Sequence, residues 1–258
     1  MGFNDVRSIM QMMDFQLLTF IAVGFLAQMV DGALGMAFGV IASSSLMATG
    51  APPAIASAAV HAAEIVTTAI SGASHIWNKN VDGKLFLKLV VTGVCGGVLG
   101  AYILIGLPEH IIKPIVAVYL AAMAALILAR ILKWELKRWQ PPAAAIGGGG
   151  GFLDAIGGGG WGAIVASTLI AGGNSPRRAV GSVNLAEFFI TVSISIAFFT
   201  QLDLAQYGKL VIGLIIGGAL AAPLAGYLLR VLPTRVALIL VGIVVAGLSL
   251  INLVSVFT

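Results

Sequence analysis

One stretch of this chain is written twice. Residues 31–68 (DGALGMAFGVIASSSLMATGAPPAIASAAVHAAEIVTT) and 154–191 (DAIGGGGWGAIVASTLIAGGNSPRRAVGSVNLAEFFIT) align without a gap at a constant offset of 123. Asp31/Asp154, Gly39/Gly162, Ser44/Ser167, Gly50/Gly173, Pro53/Pro176, Glu64/Glu187 and Thr68/Thr191 are identical pairs. Both copies set carboxylates and glycines into otherwise apolar sequence. A duplicated apolar unit, broken by glycine at matching places, is the mark of a transporter built from repeats. Ionisable residues at membrane depth then show where its chemistry lies.

The rest of the chain supports a lipid environment. It is 59% hydrophobic and 9% charged, with a mean hydropathy of +1.06, whereas a soluble domain carries about 25% charged residues. The sequence pI is near 9.4, but the basic residues sit in short loops beside apolar runs, where they orient a membrane protein rather than bind nucleic acid. Cys95 stands alone and reads as a small packed residue, without a disulfide or metal partner. No cofactor is expected. The opening MGFNDVRSIMQMMD lacks the basic start and cleavage site of a signal peptide, and MGFNDV lacks the hydroxyl residue of a myristoylation motif.

Six segments meet the requirement of about 20 apolar residues for a helical crossing: 53–77, 85–107 and 111–132 in the first half, and 176–200, 207–232 and 234–257 in the second. Pro53, Pro176 and Pro233 suit helix starts, where a missing N–H costs nothing. Each trio follows a broken hairpin, 15–49 and 143–172, whose arms (15–30 and 40–48; 143–153 and 163–171) read as short for a crossing. Four consecutive glycines, Gly157 to Gly160, predict a break, since each costs about 1 kcal/mol in a helix. Re-entrant hairpins and pairs of thin spanning helices are both open, and in either case the chain returns to its starting side.

Charge tests that parity. With returning hairpins and three crossings per repeat, Lys79, Lys84, Lys88, Arg130, Lys133, Lys137, Arg138, Arg177, Arg178, Arg230 and Arg235 share one face, and only Arg7, Lys113 and Lys209 share the other. The expected fold is therefore all-α: a polytopic membrane protein of two inverted repeats, each a broken or re-entrant hairpin plus three transmembrane helices. Residues 1–140 form the first repeat and the cytoplasmic linker, and 141–258 the second. Both termini are expected on the non-cytoplasmic side. The linker ILARILKWELKRWQPP carries Trp134 and Trp139 as interfacial anchors. A weaker likeness between GVLGAYILIGLPEHI and PLAGYLLRVLPTRV, matching Pro108 with Pro233, extends the repeat.

Four acids fall at membrane depth. Asp31 and Asp154 suit caps at the breaks. Glu64 and Glu187 are either hydrogen-bonded neutral acids or proton carriers. His61, Glu64 and Thr68 share a helix face, and Asn184, Glu187 and Thr191 repeat it; His61 in place of Asn184 breaks the symmetry with a group that can carry a proton. The second arms begin directly after the glycines, so their N-termini are expected to face each other near the midplane and offer unpaired N–H groups to an anion. Gly35, Gly39, Gly158, Gly159 and Gly162 would let a ligand approach the backbone, with hydroxyls from Ser43, Ser44, Ser45, Ser167 and Thr168, and Phe38 and Trp161 as equivalent walls. Glycines that merely permit close helix packing are the alternative. The run is no nucleotide loop, because GxxxxGK[ST] is absent.

The double block Asp31, Gly35, Gly39, Ser44, Leu46, Gly50, Pro53 and Asp154, Gly158, Gly162, Ser167, Leu169, Gly173, Pro176 resembles the TauE/SafE family of bacterial sulfite and organosulfonate exporters, from about residue 15 onward. The resemblance implies a multi-pass inner-membrane transporter whose substrate is a small sulfur-containing anion. Alternating access, with proton coupling through the buried acids, is the expected mechanism. The competing readings are a passive anion channel and a carrier that binds a cation at the acids. A membrane enzyme is disfavoured, because no nucleophile–base pair or metal cluster is apparent. The lipid bilayer is the expected environment, and a homodimer is left open.

Overall fold

A computed structural model describes residues 3–34, 36–131, 141–203, 207–231 and 234–257. Gly35, Pro233 and most of the linker, with Trp134 and Trp139, lie outside the described residues. Among those described, all regular structure is helical.

The first helix, α1 (Phe3–Leu34), is 32 residues long. The sequence-based arm began at residue 15 and looked short; the preceding FNDVRSIMQMMD contains no glycine or proline, so nothing stops the helix from starting earlier. At 1.5 Å per residue α1 extends about 48 Å, enough to cross a bilayer. A break follows, then α2 (Phe38–Ala48). The second half repeats this with α6 (Ala143–Gly157), a break at 158–160, a π-helical turn (Gly162–Ala166) and α7 (Ser167–Ala171).

Both second arms end alike. Gly50 (φ +93°) and Gly173 (φ +95°) adopt left-handed conformations. Their N–H groups donate to Met47 and Ile170, while the next N–H groups, of Ala51 and Asn174, donate to Leu46 and Leu169. This double closure satisfies carbonyls that a helix end leaves orphaned. Prolines then start α3 (Pro53–Trp77) and α8 (Pro176–Phe199) at equivalent positions.

The remaining helices are α4 (Gly83–Gly106), α5 (Glu109–Ile131), α9 (Gly208–Val231) and α10 (Thr234–Phe257). A helix therefore stands at each of the six positions expected to cross, with ends shifted by at most two residues. Four of them, α3, α4, α5 and α8, are long and apolar enough to span a membrane over described residues alone.

The halves exchange contacts: α1 packs on α9 and α6 on α4, while α3 meets α8 and α5 meets α10. Gly24 lies against the backbone of Leu214, and Gly147, its repeat equivalent, against the backbone of Leu89. A side chain at either position would separate the helices. The surface polarity is reversed from that of a soluble protein. Leu18, Leu26, Leu87, Val91 and Leu99 are exposed, whereas His61 and Asp154 are buried, the arrangement expected of a bundle that sheds lipid-facing polarity. Cys95 is exposed on α4 rather than packed inside.

At one end the loop after α3 meets the start of α8. Arg177 donates to Asn80 Oδ1 (2.5 Å) and to the Asn78 carbonyl (3.0 Å), and Ser182 accepts from the Asp82 N–H (2.9 Å). Cations that the charge count assigned to one face, Lys79 of the first half and Arg177 of the second, are thus brought to the same end.

Candidate functional site

The two helix breaks meet inside the bundle. A Cβ on Gly39 would collide with the Gly159 Cα and approach Glu64 Oε1 to 3.1 Å. The Ser43 hydroxyl donates to the Gly158 carbonyl, fastening one tip to the other. Gly158, Gly159 and Gly160 take φ values of +68°, +126° and +131°, a course open to glycine and strained for other residues. In the first break the corresponding left-handed residue is Ala37, at φ +92°.

Each break is closed by its own aspartate. Asp31 Oδ1 accepts from the Phe38 N–H (3.3 Å), and Asp154 Oδ1 accepts from the Trp161 N–H (2.8 Å), each seven residues on. These are the capping roles the sequence suggested, although the carboxylate reaches across the break from the preceding helix. A negative group here also complements the positive end of the arm it caps.

Beyond the caps the halves diverge. Asp154 Oδ2 lies 3.2 Å from His61 Nε2, both side chains being almost fully buried. His61 Nδ1 lies 2.8 Å from the Ser57 carbonyl. A carbonyl can only accept, so Nδ1 carries a hydrogen. Nε2 faces a carboxylate oxygen at hydrogen-bond distance, so the pair is a place where a proton can sit between two side chains. Ser57 also donates to the Ala155 carbonyl (2.6 Å), tying α3 to α6 at the same level. Sequence spacing joined His61 to Glu64 on its own helix; the fold joins it to Asp154, 93 residues away.

The equivalent residues of the second half form no such pair. Asn184 lies 3.3 Å from Nε2 of His75, whose Nδ1 is 3.2 Å from the Asn80 amide. The Thr68 hydroxyl donates to the Glu64 carbonyl (2.5 Å), whereas Thr191, fully buried, has no hydrogen-bond partner. Glu64 and Glu187 lie within electrostatic range of both aspartates. Among the described residues, no three His, Cys, Asp or Glu side chains gather closely enough to hold a metal ion.

The hydroxyls expected to cradle an anion are disposed unequally. Ser45, Ser167 and Thr168 donate to carbonyls four residues back, Ile41, Ala163 and Ile164. The Ser44 hydroxyl has no hydrogen-bond partner. Gly162 opens the π-helical turn behind Trp161. Phe38 and Trp161 are both buried, and the indole N–H donates to the Val183 carbonyl (3.1 Å), which makes Trp161 a fixed wall. Sequence reasoning missed Tyr119, whose hydroxyl donates to the Gly159 carbonyl (2.8 Å), and Ser57. A tyrosine within apolar α5, and a serine one turn before a buried histidine, were the available signals.

Comparison with known proteins sets the chain among membrane transporters. A family profile described as "Sulfite exporter TauE/SafE" matches residues 20–253. "Probable membrane transporter protein YtnM" of Bacillus subtilis (strain 168) is 40% identical over 255 residues, covering 92% of this chain and 83% of the relative. No solved structure matches the chain.

Proposed function

This chain belongs to the sulfite exporter TauE/SafE family of membrane transporters, and we propose that it exports sulfite or a small organosulfonate across the bacterial inner membrane. The observation that carries this reading is the meeting of two broken helices deep in the bundle, each tip capped by its own aspartate and pressed on the other through Gly39 and Gly159. Transporters of this kind place substrate at the junction of such half-helices and alternate access by rocking one repeat against the other. The exchanged packing of α1 on α9 and α6 on α4 supports two repeats related by a pseudo-two-fold axis. The charge count supports their inversion, with both termini outside the cytoplasm.

An anion cannot approach four ionised carboxylates at low dielectric without a compensating charge. A proton held between His61 and Asp154 would supply one, and its transfer to or from Glu64, Glu187 or Asp31 would couple anion movement to protons. Tyr119 faces the same centre from α5. Sulfite-loaded proteoliposomes test the function. Saturable efflux with counterflow, responsive to an imposed pH gradient, is expected. Flux that rises linearly with concentration and shows no counterflow would replace the transporter with a channel. His61→Asn is expected to uncouple transport from the gradient; an unchanged pH response in that variant would remove the histidine from the mechanism.

A further inference from the structure

Where α2 meets α10 there is a second polar group that the tip-to-tip contact does not use. Asn252 of α10 donates from Nδ2 to the Ser44 carbonyl (3.1 Å), which places its amide against the peptide of α2. Ser249 lies three residues earlier, on the same face of α10. Ser44, Ser249 and Asn252 are at most 2% exposed. Yet Ser44 Oγ, Ser249 Oγ and Asn252 Oδ1 have no hydrogen-bond partner. Three unsatisfied polar atoms at one helix junction cost too much to keep for packing alone. By the Pro108–Pro233 match, the positions in α5 are Ala124 and Ile127, buried and apolar. The polar pair is thus confined to one half.

We propose that Ser44, Ser249 and Asn252 form a binding site for a small, singly protonated oxyanion between α2 and α10. This rests on the anion-export reading and adds, beside the tip junction, a second place where the anion is held on its path. Two hydroxyls and the second amide hydrogen of Asn252 are neutral donors, and bonds from neutral donors to ionised oxygens are charge-assisted. Asn252 Oδ1 is the acceptor of the set and takes the O–H that hydrogen sulfite retains. Unlike the tip contact, where Glu64 stands against Gly39, the bond that joins this group, from Asn252 to the Ser44 carbonyl, involves no carboxylate.

The test is the sulfite concentration dependence of efflux from proteoliposomes. Ser44→Ala and Ser249→Ala remove only hydroxyls that are unsatisfied without ligand, and leave the Asn252 bond to the Ser44 carbonyl in place, so folding should survive. Each should raise KM roughly tenfold or more, while Ser249→Thr, which keeps the hydroxyl, should restore it. Sulfate, which carries no proton at neutral pH, should compete weakly. Wild-type KM in both variants, the result expected if the group only holds a buried water, would overturn the site, as would sulfate competing as well as unlabelled sulfite. Absence of sulfite efflux by the wild-type protein would instead overturn the export reading, so the two failures are distinguishable.

Discussion

The two breaks place the same aspartate on the same peptide, yet among the described residues only Asp154 meets a histidine. Around Asp154 the carboxylate holds the Trp161 N–H with one oxygen and His61 with the other, and three glycines carry the chain through left-handed conformations. Around Asp31 the carboxylate makes only the longer bond to Phe38 among those resolved, and an alanine occupies the left-handed position. The frame occurs twice in the chain; one copy ties its aspartate to a histidine as well as to the cap, and the other keeps the cap. The difference teaches that a repeated fold position does not carry a repeated function.

The largest test of this contrast is removal of each carboxylate. Asp154→Ala strands His61 and the Trp161 N–H together, and breaking a buried pair costs about 3–5 kcal/mol. Asp31→Ala removes a cap alone, worth about 1 kcal/mol. Thermal unfolding of the purified protein should show the first variant far less stable than the second, and equal losses would erase the asymmetry. Next comes the tip contact. A methyl on Gly159 enters the space of Gly39 and must sit at φ +126°, so Gly159→Ala should lose about 1–3 kcal/mol or more by the same measurement. The opposite change in the other break, Ala37→Gly, relieves a left-handed alanine and should gain about 1 kcal/mol. A loss there would mean that the first break is not strained.

The smallest effect lies at the surface. Asp82 caps α4 by accepting from the Leu85 and Lys84 N–H groups (3.0 Å each). The Leu85 bond, aided by Arg178, holds its carboxyl below the usual range. Its contribution is therefore present at neutral pH, above the unfolded value of about 4, and fades as the pH falls through the lowered native value. Asp82→Ala should cost about 1 kcal/mol at neutral pH and nothing in strong acid. A loss independent of pH would show that packing, not the cap, is responsible.

Much of the fold was legible because apolar length, proline starts and glycine stops are local signals. The six long helices, both breaks and the two aspartate caps followed from them. The His61–Asp154 pair did not, because periodicity reports neighbours on one helix and this contact crosses from α3 to α6. The early start of α1 was missed because its polar N-terminal turns carry no breaker. Ser249 and Asn252 were passed over for a related reason: α10 lies outside the block repeated at the constant offset, so no symmetry drew attention to its polar residues.

Because α1 leans on α9 and α6 on α4, neither half encloses its own entering helix. Each is in effect a strand of a clasped pair. A chain severed in the linker should yield two fragments that are each insoluble in detergent when made alone and that regain a single unfolding transition when made together.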